Sequence, residues 1–305
     1  MSGELATFTL LIVFAVLLAL EFSYPKRKLP FKQLRQSYQT NASLFVLNNF
    51  VISLLSAAPL LMVADRYSDR GLLSHISSPA WKALLSFLLL DLMLYAWHKA
   101  SHRFDCLWMF HKVHHNDPYL NVSTAFRIHI AELLIIIALK VVYIITLGVD
   151  KTMVLTNETL LALFVMFHHA NISFHGEKRL AKAIITPYLH RAHHSTERNE
   201  HDNNYGTVFS IWDRLFGTLT ELEPAEIGIK NSSPQTVFGL IKFGFTSENP
   251  VPANGLKVNL KAMIAEAAYY KAEKRAFTPG NELRDWLEAK REIIRMVYGD
   301  QRINT

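Results

Sequence analysis

Two five-residue stretches of this chain are nearly the same: His-Lys-Val-His-His at 111–115 and His-Arg-Ala-His-His at 190–194. On a helix, positions i, i+3 and i+4 share one face. Each stretch therefore turns three imidazoles the same way: His111, His114 and His115 in one, His190, His193 and His194 in the other. Imidazole binds zinc, copper, iron and nickel. Three on one face, occurring twice, predict a histidine-rich site for two metals, and the fold must bring the two stretches together. Chance clustering does not account for the pattern. Of 14 histidines, 12 lie within 98–115 and 168–201, where an even spread would put roughly two.

The second constraint is hydropathy. Half of the 305 residues are hydrophobic, and they come in blocks. Leu5–Phe22, Ala42–Val63, Trp81–Trp97, Ile130–Val149 and Met153–Phe167 read as membrane spans. Leu5–Phe22 lacks a basic leader and an Ala-x-Ala site, so it reads as an anchor and not a signal peptide. Lys26, Arg27, Lys28, Lys32 and Arg35 follow it with no acid among them. The positive-inside rule makes that loop cytoplasmic. Both histidine regions then emerge on the cytoplasmic side, although histidine played no part in setting the orientation. Lys140, Asn157 and Glu158 suit lipid poorly, so the last two blocks have a buried hairpin as their alternative.

The expected fold is an all-α integral membrane protein. It has about four to five transmembrane helices and a cytoplasmic, helical, histidine-rich metal-binding cap. Residues 1–80 read as membrane anchor helices, 81–245 as the catalytic region and 259–300 as a C-terminal helical hairpin. In the hairpin, Leu283, Trp286, Leu287, Ile293, Ile294 and Val297 form one apolar stripe. The net charge of +6 sits beside apolar blocks, which suits lipid head groups and not nucleic acid. Cys106 is the only cysteine, so an intrachain disulfide and a thiolate metal site are both excluded. N-x-S/T triplets begin at Asn41, Asn121, Asn157, Asn171 and Asn231 and read as chance, because most fall on the cytoplasmic side or inside apolar blocks.

Further histidines extend the site. His98 and His102 stand at i and i+4 where the third block ends, and His168, His169 and His175 precede the second pentad. Neither His-Glu-x-x-His nor Glu-x-x-His occurs, which disfavours zinc proteases and carboxylate-bridged di-iron bundles. Nitrogen ligation with no nearby Glu base also argues against metal-assisted hydrolysis. An imidazole-rich iron pair at a membrane face suits O₂-dependent attack on a lipid C–H bond. The rivals are a histidine-rich membrane metal-binding or transport protein and a bis-histidine haem protein. Transport would place ligands at mid-bilayer, and haem leaves the two triplets unexplained.

Three motifs, His98-x3-His102, His111-x2-His114-His115 and His190-x2-His193-His194, match the histidine boxes of the fatty acid hydroxylase / sterol desaturase superfamily. The segment STAFRIHIAE (123–132) resembles that family's Arg-x-His-x-x-Glu, and NNYGTVFSIWDRLFGT (203–218) resembles the segment after its last box. The resemblance runs over about Leu85–Gly217 and looks most like the alkylglycerol-monooxygenase and bacterial sterol-desaturase-like branch. It implies a membrane-bound enzyme with two iron ions that uses O₂ to hydroxylate or desaturate a fatty acyl, sterol or alkylglycerol-type lipid. His169-Ala170-Asn171 matches the family's His-Ala-Asn and makes His169 a ninth ligand beside His98, His102, His111, His114, His115, His190, His193 and His194. Glu132, one turn from His129, is expected to orient a ligand imidazole, and Asn204 is expected to serve the site without ligating; Asp202 and Asp213 are further neighbours. His168 is expected as a pocket residue, His201 as a solvated loop residue, and His75 outside. No His-Pro-Gly-Gly segment of a fused cytochrome b5 occurs, so electrons are expected from a separate cytochrome b5, ferredoxin or reductase. The expected place is a bacterial inner membrane, or the endoplasmic reticulum for a eukaryotic chain, with a cytoplasmic site. The hairpin resembles a short bacterial module of unknown function.

Overall fold

The opening apolar run folds as α1 (Gly3–Ser23), with Ser2 accepting a hydrogen bond from Leu5 N at its start. A computed structural model describes residues 2–54, 59–68, 70–230, 233–246 and 260–298. The following helices are α2 (Phe31–Leu54), α3 (Pro59–Tyr67), α4 (Pro79–Arg103), α5 (Asp105–His115), α6 (Ile130–Leu147) and α7 (Lys151–His169). Shorter ones come next: α8 (Glu177–Leu180), α9 (Pro187–His193), α10 (Arg198–His201), α11 (Ile211–Leu215) and α12 (Val237–Phe243). The last two are α13 (Leu260–Lys274) and α14 (Glu282–Tyr298). Among the described residues there is no β-strand, only two isolated bridges.

Among the described residues, three helices, α1, α4 and α6, are long and apolar enough to cross a membrane. Of the expected span Ala42–Val63, residues 42–54 lie in α2 and 59–63 in α3, and residues 55–58 lie outside the described ones. α2 falls outside the three because of its polarity. Ser37, Thr40, Asn41 and Asn48 are buried there in hydrogen bonds to other segments. α7 also falls outside the three, and its polar residues pair within the protein. Lys140 Nζ of α6 lies 2.7 Å from Glu158 of α7, and Asn157 Nδ2 donates to Ser86 Oγ of α4 at 3.2 Å.

Local chemistry sets the ends of the two helices that carry these pairs. His129 caps α6 by accepting from Ala131 N, and Gly148 ends it in the left-handed region at φ 71°. Asp150 then caps α7 by accepting from Met153 N. Here two backbones touch: a Cβ on Gly71 would lie 1.9 Å from Gly148 N, so only glycine fits at 71. Asp65 and Lys151 pair at 2.9 Å at this same end. The opposite end gathers the C-termini of α1, α4 and α7 and the N-terminus of α6. There the Glu21 carboxylate of α1 accepts from Val122 N at 2.7 Å and Asn171 N at 2.5 Å. Both histidine regions therefore lie at one end of the helices.

The chain divides into two units, Met1–Thr246 and Ser247–Thr305. The expected anchor and catalytic regions pack as parts of the first. The second is the hairpin of α13 and α14, cored by Ile264, Ala289 and Ile293 with Trp286 against them. The expected stripe is split. Leu283 and Leu287 are 72% and 45% exposed, because the face of α14 turned to α13 is the one through Asp285, Ala289 and Ile293. Asp285 is buried there with Arg275 Nε donating to it at 2.9 Å.

Candidate metal centre

Four elements deliver the histidines. α4 brings His98 and His102, α5 brings His111, His114 and His115, α7 brings His169, and α9 with its C-cap brings His190, His193 and His194. They fall into two groups whose donor atoms lie within 4.8 Å of one another. His98, His102, His111, His115 and His193 make one, and His114, His169, His190 and His194 the other. Each pentad is therefore shared. His111 and His115 face one group while His114 faces the other, and His193 is parted from His190 and His194 in the same way.

The second ring nitrogens decide what these groups can hold. Nδ1 of His98, His193, His169 and His114 meets the carbonyl oxygens of Tyr205, Asn203, Val165 and Arg127 at 2.8, 2.7, 2.7 and 3.2 Å. A carbonyl only accepts, so each Nδ1 carries the proton and each Nε2 is a bare lone pair. His111 Nδ1 donates to Glu132 Oε1 at 2.6 Å and His102 Nδ1 to Asp202 Oδ1 at 3.1 Å. His114 Nε2 and His169 Nε2 then face each other at 3.0 Å with no proton to share. Nε2 of His98, His111 and His193 is buried with no hydrogen-bond partner. Lone pairs packed against lone pairs in a dry site repel unless a cation lies among them. The donor set fits metal: neutral imidazoles, six of the nine oriented by a hydrogen bond on the far nitrogen.

Burial keeps the rings neutral. It pushes His111 down to about 3 and His114 to about 4. His115, His190, His193 and His194 are driven well below the ordinary imidazole range, by burial first and then by neighbouring imidazoles.

Residues 83–218 match the family model for fatty acid hydroxylase. This stretch is a fatty acid hydroxylase domain. The chain is 32% identical over 140 residues to ornithine lipid hydroxylase OlsE of Rhizobium tropici, covering 46% of this chain and 42% of that protein. It is 33% identical over 148 residues to alkylglycerol monooxygenase of Danio rerio, covering 46% and 31%. Against cholesterol 25-hydroxylase of Rattus norvegicus it is 25% identical over 166 residues, covering 53% and 52%. The chain thus spans about half or less of the length of these relatives. Residues 260–294 match a family described as a protein of unknown function (DUF2934). No solved structure matches.

Around the hydroxylase domain's two histidine groups, the other expected residues take varied places. Glu132 reaches a ligand-type imidazole, as above. Asn204 spends its amide on backbone: Nδ2 donates to Leu189 O and Thr220 O, and Oδ1 accepts from Thr220 N. It holds the segment after α9 in place through these three bonds. His129 is turned away from the site. It caps α6 and its Nε2 meets Ile241 O at 3.2 Å. His168 is buried with its ring 4.0 Å from that of His190. His175 and His75 are exposed. His201, expected in solvent, is half-buried and stacks on Trp108 at 5.3 Å.

Three buried carboxylates carry weight here; Asp213 was expected near the site, Asp91 and Asp117 were not. Asp91 of α4 accepts from Val208 N, Phe209 N and Trp212 Nε1 at 2.8–3.0 Å. Asp213 accepts from Tyr205 N and Gly206 N, and together these bonds present Tyr205 O to His98. Asp117 accepts from Ser37, Asn41 and Thr124 beside the buried guanidinium of Arg127, 3.7 Å away. Arg127 in turn bonds Val113 O and Asn116 O at the end of α5. Asn41 and Asn121, set aside as chance triplets, are buried in the Asp117 network, and Asn171 is buried against Arg27. Asn231 lies outside the described residues. An acid inside an apolar run was the available signal for Glu21 and Asp91.

Proposed function

We propose that this protein is a multi-pass membrane enzyme with two iron ions that uses O₂ to hydroxylate or desaturate a lipid C–H bond. The observation that carries the reading is the pair of imidazole groups whose Nε2 lone pairs converge in a dry site. Five nitrogens would hold one ion and four the other. Bound there, the irons would supply the activation of O₂ that no side chain supplies.

The chain's own residues do the rest. Glu132, Asp202 and the carbonyls of Tyr205, Asn203, Val165 and Arg127 lock six of the nine rings in the tautomer that ligates. Burial keeps the imidazoles neutral and excludes water. α4 and α6 carry site residues at their ends, so the centre is built onto helices suited to lipid. The relatives named for ornithine lipid, alkylglycerol and cholesterol support a fatty acyl, sterol or alkylglycerol-type substrate. The reading includes four to five spans, α7 and the α2–α3 pair joining the three most apolar helices. It also includes a cytoplasmic site, on the basis of the basic loop after α1, and electrons from a separate cytochrome b5, ferredoxin or reductase.

The test is to purify the full chain, measure its metals and absorption, and supply ¹⁸O₂ with reductant to membranes that contain it. Iron in both groups and ¹⁸O in a lipid alcohol, or an O₂-dependent lipid alkene, are the expected results. Zinc as the resident metal, haem absorption, or unchanged lipids would overturn the proposal.

A further inference from the structure

Residues of the loop between α1 and α2 line a cavity of about 370 Å³. It sits where the apolar α1 gives way to a basic segment, which is the level of the lipid head groups. Its lining has two characters. Phe22 and Leu34 are apolar, whereas Arg27 and Lys28 are cations. No acid occurs between residues 22 and 64 to balance them. Glu21, also in the lining, is spent on Val122 N, Asn171 N and the Tyr38 hydroxyl.

The backbone beside Lys28 and the Arg27 guanidinium are held in place. Asn171 Oδ1 accepts from Arg27 N at 3.0 Å, its Nδ2 donates to Arg27 O at 2.8 Å, and its carbonyl accepts from Lys26 N at 2.8 Å. Arg27 Nη2 also donates to Pro224 O. Among the described residues, no ion pair or hydrogen bond engages the Lys28 ammonium. Asn171 itself lines the cavity and stands two residues beyond His169.

We infer that this cavity binds the anionic head group of a bilayer phospholipid. The phosphate meets Lys28 and the remaining N–H groups of Arg27, and the apolar lining takes the first carbons of the lipid tails. Two cations against an apolar wall at the head-group level complement an amphiphile with a phosphate. A soluble phosphate would leave the apolar wall unused. The inference requires no iron and no turnover, so it stands or falls apart from the proposed reaction.

The experiment uses the full chain in mixed phosphatidylglycerol and phosphatidylcholine nanodiscs, with retained lipid counted by native mass spectrometry after detergent extraction. Phosphatidylglycerol is expected to be retained preferentially. The preference is expected to fall roughly five-fold for each cation removed in Lys28→Gln and in the double variant Arg27→Gln with Lys28→Gln. Because Arg27 also ties down a backbone carbonyl, the single Lys28→Gln variant keeps the test clean. The control Lys32→Gln with Arg35→Gln removes equal charge from outside the cavity and should keep the preference. An equal loss in that control would mean diffuse surface attraction and overturn the inference, as would full retention in Lys28→Gln. Displacement of the lipid by free glycerol phosphate at equal concentration would identify a soluble-phosphate site instead, which also overturns it.

Discussion

Glu132 Oε1 lies 2.6 Å from His111 Nδ1, and both side chains are buried. The two residues are 21 apart in sequence and stand on different helices, α5 and α6. This contact ties the apolar α6 to the histidine groups, and it carries the first prediction. Glu132→Ala removes the acceptor that orients the ring and should weaken metal binding about 10- to 100-fold. Glu132→Gln keeps an acceptor without the charge and should cost less. Chelator competition measures both, and an Ala variant with unchanged affinity would refute the orienting role.

The division of each pentad predicts selective losses. His193→Ala removes a donor from the group of five, and His190→Ala one from the group of four. Each should release one ion and leave the other. Elemental analysis of the purified variants reads this directly. Both ions lost together in both variants would mean a single coupled centre and not two groups.

The buried imidazoles predict a pH dependence for the metal-free chain. His111 and His114 sit near 3 and 4 in the folded state against 6.5 ordinarily. Below pH 6.5 the unfolded chain therefore binds more protons than the folded one, so stability falls as pH falls. The loss develops between 6.5 and the folded values and then levels off. Thermal unfolding of the apo protein should show a lower midpoint at about pH 5 than at about pH 7.5. An unchanged midpoint would contradict neutral burial of these rings.

Truncation before Asn259 removes the α13–α14 hairpin, which forms a unit with its own apolar core. Every proposed ligand lies upstream, so metal content should match that of the full chain. Turnover and metal are to be measured in parallel. Metal lost on truncation would show that the hairpin holds the site together.

Spacing within one helix is a property of the sequence, and so much of the site is legible there. His98 and His102, and the triplets 111/114/115 and 190/193/194, are separated by single helical turns, so their convergence follows from 3.6 residues per turn. The caps at Ser2 and Asp150 and the glycine at 148 were equally local. So were the long apolar runs of α1, α4 and α6.

Only the tertiary structure decided how the triplets divide. Which imidazole of a pentad joins which group depends on where α4, α7 and α9 stand around α5, and no local spacing encodes that. Long-range hydrogen bonds decided the rest. Asn204 became a backbone clamp because Leu189 and Thr220 arrived beside it, and His129 turned to Ile241 while Glu132, one turn later, met His111. Likewise α2 became a polar partner of the histidine-bearing end. Its Ser37 and Asn41 found Asp117, 80 and 76 residues away, and a buried polar group settles where its partner is.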